Sequence, residues 1–291
     1  MKIYIKDIIG ESLKDEVDVD KEWDRLLPFI SRRKTNRLGA GRKRVLLQTA
    51  RYAAAILIGV IFSFSTFYLT DKNKTQEAGI YQLVTHKGEK SYLQLPDGTK
   101  VWLNSCTTLK YAQDYGRSNR DIFLNGEAYF EVAKNKDLPF VVKTNGISVE
   151  ALGTVFNVCA YGEDSHLMTT LFSGKVAVRP ASASRQVLLE PNQVAVYHKS
   201  KDKIEVVPYD KRQFAQWKDG YLTFERMSLR EITKLLERNY NVVFLYDNQK
   251  IKMLRFSGSF RNSEDLSGIL NVIKTNTGIH YEIKKDTIVI K

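Results

Sequence analysis

The sequence predicts a single-pass membrane protein carrying an all-β domain, built as a sandwich or a β-helical stack, and after it a small α+β module. Three observations carry this. An uncharged run at residues 52–69 follows a strongly basic stretch. Short alternating runs fill residues 81–207. After residue 217 the apolar period switches from two to about 3.6 and back, the change from strand to helix spacing.

Charge divides the first part of the chain. The formal net charge is +12 over 291 residues. Residues 1–24 set four lysines against eight acids, whereas residues 25–51 hold nine cations and no acid. Residues 1–44 read as a cytoplasmic tail and residues 45–51 as a basic juxtamembrane segment. Within the tail Val19, Trp23, Leu26, Leu27 and Ile30 fall on one face of a helix. Acids precede that face and Arg32, Arg33 and Lys34 follow it, which suits the helix dipole. So short a helix is marginal alone. Its apolar stripe needs a cover, either a partner or the membrane surface.

Tyr52 to Leu69 contains no charged residue. At about 1.5 Å per residue it reaches roughly 27 Å, near the hydrocarbon thickness of a bilayer. Tyr52 and Tyr68 sit at its ends, where amphipathic rings favour the interface. The preceding cations place the N-terminus in the cytoplasm by the positive-inside rule. About fifty residues come first, so a cleaved signal peptide fits poorly. The same basic run lacks interleaved stacking aromatics, and membrane orientation explains it better than direct nucleic-acid binding.

Residues 70–80 are polar and read as a linker. From residue 81 to 207 short strand-like runs follow one another, among them Thr99–Leu103, Ile122–Leu124, Ala128–Val132, Phe140–Lys143, Ile147–Ala151 and Val194–Tyr197. Asp97-Gly98, Asn125-Gly126, Asn145-Gly146 and Ser173-Gly174 supply the positive φ that tight turns need. Alternation suggests that Trp102 points inward.

Residues 208–216 read as a second linker, and residues 217–291 follow the order β-α-β-β-α-β-β. Tyr221–Phe224 opens the module as a strand. Ser228 and Glu231 form a capping-box pattern, and Leu229, Ile232, Leu235 and Leu236 keep helical spacing. Leu266, Ile269, Leu270 and Ile273 mark a second helix.

No catalytic constellation, metal-ligand spacing or cofactor fingerprint stands out. His86, His166, His198 and His280 are far apart in sequence. Cys106 and Cys159 are the only cysteines, and the plain reading is two separate small core residues.

Three segments then carry a family resemblance: Leu95-Pro-Asp-Gly-Thr-Lys-Val-Trp-Leu-Asn104, Leu124-Asn-Gly-Glu-Ala-Tyr-Phe-Glu-Val-Ala133 and Val149-Glu-Ala-Leu-Gly-Thr-Val-Phe-Asn-Val158. With Pro139–Thr144 and Phe172–Val178 they resemble the FecR-like transmembrane anti-sigma regulators in their Bacteroidetes form. The C-terminal module is similar to the short N-terminal domain of secretins and TonB-dependent receptors. The resemblance implies an inner-membrane protein with its C-terminal bulk in the periplasm. Its implied partners are an extracytoplasmic-function sigma factor, held by the tail, and the N-terminal signalling domain of a TonB-dependent receptor. Release of the sigma factor commonly proceeds through regulated proteolysis. Trp23 matches the tryptophan of the family's sigma-binding helix. Gly153-Thr154 matches the bond at which some members cleave themselves, a step that needs a strained peptide and a nearby base. Otherwise the resemblance implies no enzyme activity, cofactor or metal. A membrane-anchored glycan-binding or enzymatic β domain is the alternative, with Tyr92, Trp102, Tyr111 and Tyr115 as its available aromatics.

Overall fold

The computed structural model of the chain describes residues 40–73, 79–182, 185–209 and 215–291. It divides into two compact units between residues 75 and 76. The tail positions Val19, Trp23, Leu26, Leu27 and Ile30 lie outside the described residues.

The first unit is described as one helix, α1 (Ala40–Asn73). Among the described residues it is the one helix long and apolar enough to cross a membrane, over Thr49–Thr66 with mean hydropathy 1.4 and no part of that window buried. The hydroxyl of Thr66 donates back to the carbonyls of Phe62 and Ser63, at 2.8 and 2.9 Å. Its polar group is therefore satisfied within the helix. The helix outruns the apolar run 52–69 because nothing in Thr70–Asn73 breaks the backbone ladder. Part of the expected linker 70–80 is consequently helical, and Ile80 already belongs to a strand.

The second unit is mostly β. Its first thirteen strands are β1 (Ile80–Val84), β2 (Ser91–Gln94), β3 (Lys100–Leu103), β4 (Thr108–Ala112), β5 (Arg120–Glu131), β6 (Phe140–Lys143), β7 (Ile147–Ala151), β8 (Val155–Ala160), β9 (His166–Ser173), β10 (Val176–Pro180), β11 (Val187–Leu189), β12 (Gln193–His198) and β13 (Lys203–Pro208). They form two faces. One runs β11-β10-β7-β6-β5-β4-β1, the other β2-β3-β5-β8-β9-β12-β13. Every pairing is antiparallel except β5 with β6. This is the sandwich of the two expected alternatives, since a β-helical stack would pair its coils in parallel.

β5 belongs to both sheets. Its first half pairs with β4 and β6, its second with β3 and β8. The change of sheet falls at Asn125-Gly126, which is no hairpin turn, contrary to the dipeptide reading. Gly126 has φ 123°, and a Cβ there would stand 2.6 Å from the Cα of Thr107. The glycine is needed for close backbone approach at a bend within one strand.

Inward side chains of both sheets build one core. Val101, Leu103, Leu109, Leu124, Phe130, Phe140, Val149, Phe156 and Leu171 have no measurable exposure. Phe130 packs against Phe140 and Phe156 with centroids 5.6 and 5.1 Å apart. Trp102 does not join them. Val101 and Leu103 take the inward positions, so the period of two turns Trp102 to the outer face. There it packs on Tyr92 and Tyr129, with centroids 5.0 and 5.5 Å away.

A buried cation sits at the start of β5. Arg120 is 1% exposed. Its Nη1 meets Asp97 Oδ2 at 3.0 Å and the carbonyl of Ala133 at 2.9 Å, while its Nε donates to the carbonyl of Leu138 at 2.7 Å. Asp97 is itself held by the backbone N–H and hydroxyl of Thr99, at 3.0 and 2.8 Å. The charge is thus paired and its donors used, the condition for burying an arginine.

The remaining residues form the mixed module: β14 (Tyr221–Ser228), α2 (Leu229–Tyr240), β15 (Val243–Tyr246), β16 (Arg255–Arg261), α3 (Leu266–Thr277), β17 (Tyr281–Lys284) and β18 (Thr287–Ile290). β14 pairs with β16, and the order β15-β18-β17 makes a second small sheet. The capping box forms in both directions: Ser228 N–H donates to Glu231 Oε2 at 2.8 Å, and Glu231 N–H to Ser228 Oγ at 3.4 Å. Leu229, Ile232 and Leu236 of α2 and Ile269, Leu270 and Ile273 of α3 bury their shared stripe against Phe224, Phe256 and Ile288.

Candidate functional site

The outer face of the second sheet is not all solvent. Part of it is roofed by the C-terminal module, which leaves a cavity of about 390 Å³. The floor comes from Glu127 on β5, Cys159 on β8, Tyr161 just past it, Met168 on β9 and Asn104 just past β3. Glu127 and Cys159 are direct cross-strand partners. The roof comes from Trp217, Leu222, Met227 and the α2 side chains Lys234, Leu235 and Arg238.

Local backbone explains why Trp217 enters. It lies in a 3-10 turn, Gln216–Asp219, with left-handed residues on both sides, Ala215 at φ 58° and Gly220 at φ 87°. The two reversals turn the indole inward, where it is 8% exposed. Lys90 Nζ donates to its carbonyl at 3.2 Å and lies 5.9 Å from its ring centroid. The indole Nε1 approaches the Glu127 carboxylate without reaching full hydrogen-bond geometry.

Glu127 is held by amides. Asn104 Nδ2 donates to Oε2 at 2.8 Å and Asn157 Nδ2 to Oε1 at 3.0 Å. Desolvation nevertheless pushes its pKa up, against the opposing pull of these two bonds and of Arg238. The thiol of Cys159 is pushed well up, first by burial and then by Glu127. Burial also lowers the pKa of Lys90, with Glu127 acting the other way.

Beside the cavity lies a clamp. The Arg238 guanidinium stands 3.6 Å from the Tyr161 ring centroid and contacts Glu163 Oε1 and Asp164 Oδ1, both at 2.7 Å. Lys234 adds a 3.1 Å contact to Asp164 and a 2.9 Å bond to the Glu163 carbonyl. Burial works against the Arg238 charge, but Asp164 outweighs it and raises its pKa. From the other side Gly88 N–H donates to the Arg238 carbonyl at 2.8 Å. The module is thus fixed to the β8–β9 connection by one helix.

The comparisons follow these two bodies. The FecR protein family model matches residues 81–177, and the model for the FecR C-terminal domain matches residues 221–290. Two crystal structures of a candidate anti-sigma factor from Parabacteroides distasonis ATCC 8503, at 1.65 and 2.50 Å resolution, are 30% identical to this chain with a TM-score of 0.68. They cover 72% and 73% of this chain and 98% of their own. The chain belongs to the FecR family. No curated protein matches it.

Within this FecR-family frame Gly153 and Thr154 connect β7 to β8. Gly153 has φ 141°, and a Cβ there would stand 3.0 Å from the Lys134 Cα, so glycine is required by space and backbone alone. Thr154 is buried, and its Oγ1 has no hydrogen-bond partner among the described residues. The two cysteines are free thiols outside the apolar core, Cys106 in a left-handed turn at φ 56° and Cys159 on the cavity floor. Two of the four histidines do meet: His166 and His198 are cross-strand partners with rings 6.4 Å apart. The pairing of β9 with β12 brings them together. Among the described residues no group of three or more candidate ligands is placed to hold a metal.

Glu127, Trp217 and Arg238 are the site residues that sequence reasoning missed. Glu127 reads as an ordinary polar position in an alternating strand, on the same face as Tyr129 and Glu131. A tryptophan placed just after a polar linker was the available signal that something covers that face.

Proposed function

We propose that this FecR-family chain is a transmembrane anti-sigma regulator. In this reading α1 crosses the inner membrane once with the N-terminus in the cytoplasm. The tail, through Val19, Trp23, Leu26, Leu27 and Ile30, holds an extracytoplasmic-function sigma factor. The β domain and C-terminal module stand in the periplasm and receive the signal from the N-terminal domain of a TonB-dependent receptor. The protein acts by binding rather than by catalysis.

One observation carries the proposal: a FecR β domain clamped to a FecR C-terminal domain follows, in one chain, a helix whose Thr49–Thr66 window has the length and composition of a span. The likeness to the candidate anti-sigma factor of Parabacteroides distasonis supports the same role. The test is co-purification from detergent extracts of cells carrying the tagged full chain. A sigma factor is expected to come down with the wild type and to be lost with Trp23→Ala, because truncating a central aromatic anchor typically costs about 2 kcal/mol or more. Undiminished recovery with that variant would remove the tail from the binding role.

A further inference from the structure

Glu127 occupies an unusual position for an acid. It stands on a sheet face that the C-terminal module covers, at the bottom of the 390 Å³ cavity. Among the described residues no cationic nitrogen lies within 4.0 Å of its carboxylate. The nearby cations are already engaged: Arg238 by Glu163 and Asp164, Lys234 by Asp164, and Lys90 by the Trp217 carbonyl. Asn104 and Asn157 each donate to a different carboxylate oxygen. That arrangement suits an acceptor-only group, which is the ionised acid. Burial acts in the opposite sense, since a desolvated charge with no ion pair in contact is costly; Arg238 and Lys90 act on it only from beyond contact distance.

The rest of the lining is mixed: charged side chains, among them Glu163, Asp164, Arg230, Glu231, Lys234 and Arg238, stand beside apolar and aromatic ones. Met168, Leu222, Met227 and Leu235 give apolar wall, and Trp217 and Tyr161 give aromatic wall. The volume falls within the roughly 300–1,000 Å³ usual for small-molecule pockets. Glu127, met by the Asn104 and Asn157 amides, is the oriented polar group that would fix a ligand's direction.

We infer that the cavity between the β domain and the C-terminal module binds a small organic ammonium compound, with its positive nitrogen on Glu127 and its carbon body against Met168, Leu222, Met227 and Leu235. A primary ammonium brings three N–H donors, which fill the carboxylate positions that the two asparagines leave open. Because the site is shared by both bodies, a bound amine strengthens the docking of the module on the β domain. This adds a chemical input to the protein contact proposed above and is tested apart from it.

The experiment is thermal unfolding of the full chain in detergent micelles near neutral pH, followed by tryptophan fluorescence. The probes are butylamine, 1,4-diaminobutane and glucosamine, with butan-1-ol and glucose as neutral counterparts. A saturable rise in Tm with at least one amine and with neither neutral compound is expected. Glu127→Gln is expected to weaken the apparent affinity about tenfold or more, the loss of a charge-assisted contact. The larger response among the probes separates an aliphatic amine from an amino sugar as the source. No response at about 10 mM, where even weak sites of millimolar Kd are filled, overturns the inference. So does an equal response to butan-1-ol, or undiminished affinity in Glu127→Gln. If Glu127→Gln does not fold, Leu235→Trp fills the cavity while leaving the acid. Loss of the amine response in that variant supports the site, and a retained response overturns it.

Discussion

Arg238 lies over the ring of Tyr161 while both acids that follow in the same connection, Glu163 and Asp164, contact its Nη2 at 2.7 Å. One side chain of α2 therefore stacks on the β domain and pairs with it. A planar guanidinium can do both, whereas an ammonium cannot.

Arg238→Ala is expected to destabilise the full chain by about 1–2 kcal/mol, mostly the lost stacking on Tyr161, because Glu163 is 58% exposed and Asp164 keeps its 3.1 Å contact with Lys234. Hydrogen exchange should rise first in α2 and in residues 161–165, with the β core unaffected. Arg238→Lys should recover part of the loss but not the stacking. Uniformly faster exchange throughout the sandwich would instead mean that the clamp is integral to the β fold.

Glu127 gives the docked structure a pH dependence of definite sign. Its pKa is raised in the folded state, chiefly by desolvation. The native state therefore holds this proton more tightly than the unfolded one. Its contribution is full below the ordinary carboxylate pKa and is lost as pH rises through the raised value. Denaturant unfolding across the mildly acidic to neutral range should show the wild type losing stability relative to Glu127→Gln as pH increases. A difference that is flat with pH, or that grows the other way, would contradict the assignment.

Arg120→Met removes the buried cation beneath Asp97 and strands the carbonyls of Leu138 and Ala133. The expected loss is about 3–5 kcal/mol, read as a fall in the urea midpoint. Arg120→Lys should lose most of the same energy, since a single ammonium cannot span partners on several segments.

Thr154 offers a gel test. Among the described residues no base stands within hydrogen-bond distance of its Oγ1. The purified chain is expected to run as one band on a denaturing gel. Thr154→Val should then keep stability within about 1 kcal/mol, because the removed hydroxyl satisfies nothing. Two fragments meeting at residues 153 and 154, absent from Thr154→Val, would establish self-cleavage.

Local signals were legible where a residue's neighbours in sequence are also its neighbours in space. Ser228 and Glu231 announce the start of α2, and the structure forms both of their reciprocal bonds. Leu229, Ile232 and Leu236 keep the period that buries them. Asn125-Gly126 misled because a glycine needed for contact with Thr107 looks the same as one needed for a turn. β4 and β11 carry little local signal: Thr108–Ala112 alternates weakly, and Val187–Leu189 is only three residues long. The cavity was out of reach for a different reason. Glu127, Trp217 and Arg238 come from separate segments, and their convergence depends on how two separately patterned bodies pack.

A twelve-residue strand that serves both sheets has a mechanical meaning. Along its contour β5 runs about 36 Å at 3.3 Å per residue, and less from end to end because it bends at Gly126. At one end it is anchored by Arg120, and seven residues on it carries Glu127 under the C-terminal module. Tension applied through the module reaches the other sheet along covalent backbone rather than across sliding side chains. The sandwich is thereby built to pass a pull on as a unit, with β5 as its tie-rod.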